Sequence, residues 1–491
     1  MNKTTQSKGP TAESTVTREQ VLAKEIMARA TLAAGLFDQY SQEKTDQIVE
    51  KVAKTGFNNR VRLARMAREE TNLGVWEHKV LKNVLATQFV YDNIKNEKTV
   101  GVLSHNEETG ITEIAQPLGP IFAIIPITNP TSTVMFKILI ALKSRNPIII
   151  SPSRKAMKCS IEAARICYEA ALEADAPEDC IQWLPESSRE LTQAMMTHPG
   201  LALILATGGT SMVKAAYSSG TPAIGVGPGN VPVFIDKSAD LPFAVSGVIS
   251  SKTFDNGTVC ASEQAVIVEQ SFAPTARDEL SRQKCYFLNA DEIKKVQAVA
   301  VDPESGGMNP AIVGQPVEVI AKMAGINPPA GTKILMAELE GVGNDYPLSG
   351  EVLAPILAFY SRPNLDEALK TCIDLNYFAG VGHTTSIYAN DQAVIKTFGQ
   401  LMNAGRVLIN TPSSQGAVGG VCNTLLTSFT LGCGSGGKNI TTENISARHL
   451  LNIKRVCRRR ENERWNRFDP AKYLDEKMEW NAAMAEFNKN Y

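Results

Sequence analysis

The sequence predicts an α/β protein built on a doubly wound parallel sheet. Two patterns carry this. Short apolar runs alternate with stretches of helical length between Ile121 and Ser218, and a second series of the same kind begins near Leu241. The 491 residues are 43% hydrophobic and 21% charged, the composition of a soluble globular chain, which excludes a fibre and a disordered polyelectrolyte. At roughly 150 residues per domain, this length suggests about three domains.

Residues 1–17 are polar and read as loose. From Arg18 to Tyr40, Leu22, Ile26, Ala30, Ala33, Leu36 and Phe37 recur at three- and four-residue steps, which predicts an amphipathic helix. Such a helix offers a face to a partner or a protein shell, although packing on its own domain is the commoner outcome. Helical patterning continues to about Lys95. Residues 99–118 then switch to a two-residue period around Asn106–Gly110, which predicts a β-hairpin. The first α/β series runs through strands at Ile121–Ile127, Pro147–Ile150 and Leu201–Leu205. Helices follow them near Ser132–Lys143, Ile161–Ala174 and Ser211–Ser218. In the second series a helix from Leu241 to Phe254 precedes strands at Gln264–Val268, Lys333–Met336, Ile356–Phe359, Ser386–Tyr388 and Arg406–Ile409. A glycine-rich stretch spans Gly416–Gly437, and Lys454, Arg455, Arg458, Arg459 and Arg460 form a basic cluster that reads as a solvated face.

Lys and Arg number 50 and Asp and Glu 51, so no global field draws the chain to nucleic acid or an anionic membrane. No apolar run has the length of a membrane span, and the N-terminus lacks the apolar core of a secretory signal. The nine cysteines are an odd number with no CxxC spacing, which points to reduced thiols in a cytoplasm rather than a disulfide framework or zinc ribbon. Five scattered histidines form no HExxH, so no metal site is expected.

Four segments can carry chemistry. Cys260 follows an Asp255-Asn256-Gly257 turn and precedes a strand. A turn that aims backbone amides at a thiolate would suit a nucleophile, although a cysteine in isolation is more often a small buried hydrophobe. In Ala206-Thr207-Gly208-Gly209-Thr210 a strand runs through two glycines into a helix, which can bring a pyrophosphate to a helix N-terminus. The alternative is a turn needed only for tight packing. Gly225-Val226-Gly227-Pro228-Gly229-Asn230 implies a closely approached backbone or a purely structural loop. Asn129, at a strand end, can donate its amide to a developing oxyanion, as can any loop asparagine.

Taken together, these blocks resemble the CoA-acylating aldehyde dehydrogenases, in particular the aldehyde dehydrogenase half of the bifunctional aldehyde–alcohol dehydrogenases. The resemblance rests on Phe254-Asp-Asn-Gly-Thr-Val-Cys260-Ala-Ser-Glu-Gln, Ala206-Thr-Gly-Gly, Ala215-Ala-Tyr-Ser-Ser-Gly220 and Gly225-Val-Gly-Pro-Gly-Asn. Thr128-Asn-Pro-Thr, Gly382-His383-Thr and Leu431-Gly-Cys-Gly-Ser complete it, and it runs in order from about residue 20 to about 465. The sequence ends before an iron-dependent alcohol dehydrogenase half, so a stand-alone acylating enzyme is expected.

The resemblance implies an aldehyde dehydrogenase fold. Residues 1–98 and 119–252 would form a Rossmann-like cofactor domain, 253–430 the catalytic domain, 99–118 and 445–460 a β oligomerisation arm, and 461–491 a C-terminal tail. It implies a Cys260 nucleophile that passes from thiohemiacetal to thioester, with NAD or NADP as hydride acceptor and coenzyme A as acyl acceptor. Asn129 and the Cys260 amide would hold the oxyanion, Glu351 the nicotinamide ribose, and Ser151, Pro152, Arg154, Gly208, Gly209, Thr210, Gly225 and Gly227 the rest of the cofactor. His383 would assist thiol deprotonation, or else be a structural histidine. A homodimer or homotetramer is expected, cytoplasmic or held in a bacterial microcompartment through the N-terminal helix.

Departures from the wider family bear on specificity. Gly225 stands where hydrolytic relatives keep the Glu of Glu-Leu-Gly-Gly that activates water. Without it a thiol is favoured as acceptor, its reference pKa being about 8.5 against about 15.7 for water. Arg154 replaces the Glu of Lys-Pro-x-Glu and can pair with a 2′-phosphate, which favours NADP. In Gly434-Ser435-Gly436-Gly437-Lys438-Asn439 a glycine replaces an aromatic residue. Lys438 would then offer a cation to a small anionic aldehyde, or lie in solvent. The expected substrate is acetaldehyde or sulfoacetaldehyde, with a succinate-semialdehyde-type enzyme or a hydrolytic enzyme releasing free acid as alternatives.

Overall fold

The computed structural model describes residues 17–302, 306–459, 466 and 468–489. The polar N-terminal stretch before Thr17 and Arg460 of the basic cluster lie outside them. The described chain forms two compact units. The larger holds the residues up to Glu97 together with Pro117–Leu451, and the smaller holds Lys98–Gln116 and the segment from Asn452.

In the smaller unit, β1 (Gly101–Asn106) and β2 (Ile111–Pro117) form the expected hairpin, with an irregularity between Val102 and Ser104. The larger unit begins with helices. The first, Arg18–Phe37, opens with a Thr17–Gln20 capping box and buries Ala23, Ile26, Met27 and Ala30 in one cluster with Phe122, Ile149 and Met195.

The first α/β series gives β3 (Ile121–Ile124), β4 (Ile148–Ser151), β5 (Ile181–Trp183), β6 (Leu203–Thr207) and β7 (Ala223–Val226), a parallel sheet in the order β5-β4-β3-β6-β7. Strands β3 and β4 read Ile-Phe-Ala-Ile and Ile-Ile-Ile-Ser and are buried throughout, as strands covered on both faces require. The helix Pro130–Lys143 is buried along its whole length. Its Lys137 Nζ donates to the carbonyls of Ile124 and Leu205, both at 2.8 Å, so one ammonium ties the ends of β3 and β6 together.

The second series gives β8 (Val231–Ile235), β9 (Glu263–Glu269), β10 (Cys285–Phe287), β11 (Ile334–Glu338), β12 (Ile356–Arg362), β13 (Gly382–Tyr388) and β14 (Ala404–Ile409). They form a parallel sheet in the order β10-β11-β12-β9-β8-β13-β14. The last strand, β15 (Leu451–Cys457), lies beside β2 in the small sheet. There Arg455 pairs with Glu113 at 3.0 Å, and β1 and β15, the outer strands, are exposed along most of their length.

The change of sheet falls between Val226 and Val231, ahead of the expected domain boundary at 252, so β8 and the helix Leu241–Thr253 go with the second sheet. The sequence conceals β8 because Pro232 sits inside it. A proline cannot donate to the ladder, and the pairing of β8 with β9 shifts register between Val231 and Pro232 to accommodate it. Strands β5 and β10 escape notice because each is three residues long.

Ile150, fully buried in β4, sets the scale of the core. Ile150→Ala is expected to cost about 2–5 kcal/mol in urea unfolding. Leu32→Ala, on the exposed face of the first helix, should stay within about 0.5 kcal/mol.

Candidate active site

Parallel strands deliver their following loops to one edge of a sheet, and where the strand order reverses those loops separate into a crevice. Here the reversal lies between β3 and β6. The loops after β3, β4, β6 and β7 line a cavity of about 480 Å³. Ile124–Asn129, Ser151–Arg154, Thr207–Gly209 and Val226–Pro228 form one wall, and Thr258, Cys260, Glu351 and Leu353 face it.

Gly209 is the N-cap of the helix Thr210–Tyr217, and no side chain caps that end. A Cβ added at Gly209 or at Gly227 would meet nothing within 4 Å. An uncapped helix N-terminus beside bare backbone suits a phosphate, so these residues fit a dinucleotide. Arg154 begins a short turn after β4, is exposed, and lies on the cavity wall. Glu351 is the one carboxylate on that wall among the described residues. One of its oxygens accepts from the Gly229 N–H at 2.9 Å. Burial pushes its pKa up to about 7, against the pull of that N–H and of Lys252.

The turn before Cys260 is strained. Asp255, Asn256 and Gly257 have φ of 51°, 52° and 75°, three left-handed residues in succession. Only glycine takes that region at no cost. The turn is held by the Asp255 carboxylate, which is fully buried. One oxygen accepts from the Val75 N–H at 2.7 Å. The other accepts from Lys79 Nζ at 2.9 Å, Lys82 Nζ at 2.5 Å and Thr258 Oγ1 at 2.8 Å. The Asp255 N–H donates to His78 Nδ1 at 2.8 Å. Burial alone would raise the Asp255 pKa, but Lys82 and then Lys79 outweigh it and hold it at about 2. Burial brings Lys82 down to about 8, with Asp255 opposing the shift.

Cys260 lines this cavity and also a second one of about 40 Å³. The smaller cavity is walled by Leu85, Val226, Phe254, Val259, Val418, Phe429 and Leu431, with Lys82, Asn129, Thr207, Ser414, Gln415 and Ser428 as polar members beside Cys260. Burial, and after it the charges of Glu351 and Cys433, push the Cys260 thiol up to about 12, while Arg406 pulls the other way. Asn129 lines both cavities. Its Oδ1 accepts from Lys82 Nζ at 2.6 Å, and its Nδ2 donates to Thr128 Oγ1 at 3.1 Å.

Cys260, Asn129, Ser151, Pro152, Arg154, Gly208, Gly209, Gly227 and Glu351 therefore face one space. Thr210 stands just behind it as the first residue of the helix, and Gly225 is withdrawn from it. Gly225 lies within β7 with its N–H and carbonyl both bonded to Tyr217 Oη, at 2.9 and 3.1 Å. His383 does not fit the deprotonating role. It lies on neither cavity wall, its Nδ1 is engaged with Thr384 Oγ1 at 2.9 Å, and burial followed by the Arg406 charge pushes its pKa down to about 3. Its ring packs behind Gly229, where an added Cβ would meet the Cys260 carbonyl at 2.3 Å and the ring at 3.1 Å. Lys438 likewise lies on neither wall. It is exposed and left-handed at the end of a tight turn, and the next residue, Asn439, is the one turned inward, donating to the Gly225 carbonyl at 2.8 Å.

The sequence reading missed Lys79 and Lys82. The sequence gives no sign of them, since on the helix Trp76–Val84 the apolar residues include Val80, Leu81 and Val84, whereas the structure buries Lys79, Lys82 and Asn83.

Comparison with known proteins agrees with this geometry. The aldehyde dehydrogenase family model matches residues 4–322. The chain is 47% identical to an aldehyde-alcohol dehydrogenase of Clostridium acetobutylicum over 88% of this chain and 50% of that protein. It thus spans about half the length of the curated relatives it matches first. A crystal structure of an acetylating aldehyde dehydrogenase from Geobacillus thermoglucosidasius superposes with a TM-score of 0.88 at 45% identity, covering 91% of this chain and 98% of that one. A Rhodopseudomonas palustris propionaldehyde dehydrogenase with bound CoA and an acylated cysteine superposes at 0.78 with 26% identity, covering 89% and 97%.

The raised Cys260 pKa has a direct consequence for the ligand-free protein. The thiol is protonated across pH 7–9, so iodoacetamide should label it more slowly than a free cysteine at pH 8, and the rate should climb about tenfold per pH unit. Peptide mass spectrometry separates this label from that on the exposed Cys422 and Cys457. A plateau near pH 8.5 would show an ordinary thiol.

Proposed function

The chain belongs to the aldehyde dehydrogenase family, and from that premise we propose that it is a CoA-acylating enzyme that reversibly oxidises a small, uncharged aldehyde through a thioester on Cys260. One observation carries the reading: Cys260 and Asn129 stand together on the walls of two cavities, a roomy one and a small apolar one.

A nicotinamide dinucleotide bound in the larger cavity supplies the hydride acceptor, held by Gly208, Gly209 and Gly227 at its phosphates and by Glu351 at a ribose. The Cys260 thiol gives up its proton to solvent through the open cavity, and the thiolate adds to the aldehyde carbon. Asn129 Nδ2 and the Cys260 N–H take the charge that develops on the carbonyl oxygen. Loss of hydride from that carbon then leaves the thioester. The thiolate of CoA attacks the thioester carbonyl, the bond to Cys260 breaks, and acyl-CoA departs with the Cys260 thiolate regenerated.

Water is a poor competitor because no carboxylate stands at Gly225 to activate it. At Gly225 an added Cβ would meet Val213 at 2.7 Å and the Tyr217 ring at 3.2 Å, so the place of a water-activating Glu is filled. The small cavity also sets the substrate. At about 40 Å³ it admits only a few heavy atoms. Its one charged residue is Lys82, whose three protons go to Asn129, Asp255 and Thr258 at 2.6, 2.5 and 3.0 Å. Lys82 has no free proton for a sulfonate or carboxylate, and the other polar members of the wall, Thr207, Ser414, Gln415 and Ser428, are uncharged, which favours acetaldehyde over sulfoacetaldehyde and succinate semialdehyde. Arg154 at the cavity edge favours acceptance of NADP as well as NAD. Self-association as a homodimer or homotetramer through β1 and β15 belongs to the same proposal.

The test is reduced-nicotinamide formation from acetaldehyde or sulfoacetaldehyde, with NAD or NADP, with and without CoA. Turnover that needs CoA and prefers acetaldehyde is expected, and equal turnover without CoA would overturn the acylating reading. Cys260→Ser should abolish turnover while leaving the fold intact. Arg154→Glu should move the kcat/KM ratio from NADP toward NAD by about tenfold or more, the loss of one charge-assisted pair. An unchanged ratio would place Arg154 outside the cofactor site.

A further inference from the structure

We infer that Lys82 is a positioning residue for the thiohemiacetal step, clamping the Asn129 amide so that its N–H groups, and not its carbonyl, face the reacting oxygen. The inference rests on the reading of Cys260 and Asn129 above. An asparagine amide has two ends of nearly equal shape, and only the NH2 end stabilises an oxyanion. At Asn129 the choice is forced. An ammonium only donates, so the amide atom 2.6 Å from Lys82 Nζ must be Oδ1, and the reverse orientation would set donor against donor. With Oδ1 committed inward, Nδ2 gives one proton to Thr128 Oγ1 at 3.1 Å and keeps the other for the cavity that Asn129 shares with Cys260.

The ammonium is itself fixed. Its other two protons go to Asp255 and to Thr258 Oγ1, and its side chain is 3% exposed. The groups that face it are all accounted for. Asp255, Lys79 and Cys260 act on its charge, the Phe254 ring centroid lies 5.7 Å from it, and His78 accepts from the Asp255 N–H. Two ammoniums against one carboxylate leave the cluster with a net positive charge, buried beside the thiol and the developing oxyanion, where charge acts strongly. Lys82 touches no substrate atom in this arrangement and acts through Asn129.

The experiment is a double-mutant cycle on the full chain in the CoA-dependent assay. Asn129→Ala and Lys82→Met should each lower kcat by about 10²–10³-fold with little change in the aldehyde KM. The double variant should be no slower than the slower single variant, since Lys82 works through Asn129. Losses that multiply to about 10⁴–10⁶-fold would overturn the inference, since Lys82 would then act through the Asp255 turn alone. If Lys82→Met does not fold, the pH profile decides on proteins that do. Lys82 loses its proton near pH 8, so the ratio of wild-type kcat to that of Asn129→Ala should fall above that pH, whatever the growing Cys260 thiolate fraction adds to both, because only the wild type has a basic limb from this clamp. An identical limb in both proteins would overturn the inference. Failure of the underlying reading is distinguishable, because Cys260→Ser would then keep its activity whatever the cycle shows.

Discussion

A buried carboxylate with no charge partner costs several kcal/mol, and Asp255 is fully buried. The turn that presents Cys260 depends on how that carboxylate is satisfied. Its oxygens gather the Val75 N–H, Lys79, Lys82 and Thr258, and so bind the helix Trp76–Val84 to the segment before β9. The left-handed Asp255 and Asn256 cost about 1–3 kcal/mol each. Breaking a buried ion pair costs about 3–5 kcal/mol. The two magnitudes are comparable, so the pairs suffice to hold a backbone that the local sequence alone would not adopt. The approach at Gly74 shows how tight the fit is, since an added Cβ there would lie 2.0 Å from the Asp255 carboxylate.

The same economy of space governs the choice of acyl acceptor. Tyr217 bonds both backbone polar groups of Gly225, and Asn439 bonds its carbonyl again. Gly225 is therefore a closed corner rather than an empty subsite. In the proposed reaction the thioester at Cys260 faces the roomy cavity. The acceptor must bring its own nucleophile, already acidic enough to ionise without a protein base. A thiol meets that requirement and water does not.

The sheet architecture was legible because β3, β4, β6, β9 and β12 are dense apolar runs bounded by turns. Strand β8 was not, because Pro232 breaks the pattern, and so the expected domain boundary falls after the change of sheet. Cys260, Asn129 and the Gly208–Gly209 turn were legible through their order along the chain, not through any one motif. For His383 and Lys438 two readings stayed open, because sequence order does not report which way a residue faces. One is sealed behind Gly229 and the other is turned out beside an inward Asn439. Lys79 and Lys82 meet Asp255 across 176 and 173 residues of chain, a pairing that no local period encodes.

These misses share a physical cause. Where local rules fail and the structure still holds, the failure marks a place whose geometry is set by something other than folding. Three failures converge here. Lys79 and Lys82 occupy the buried face of a helix where apolar residues belong. Asp255 and Asn256 are left-handed without being glycine. Asn129 occupies the N-cap of Pro130–Lys143, where an asparagine side chain would normally contribute about 1 kcal/mol by bonding a free helix N–H, yet it makes no capping bond and turns to Lys82 instead. Each departure alone is a small loss of stability. They are joined by hydrogen bonds through one lysine, and together they place an amide donor against the space beside a cysteine. No requirement of folding accounts for all three, and their coincidence fits the chemistry proposed for the site.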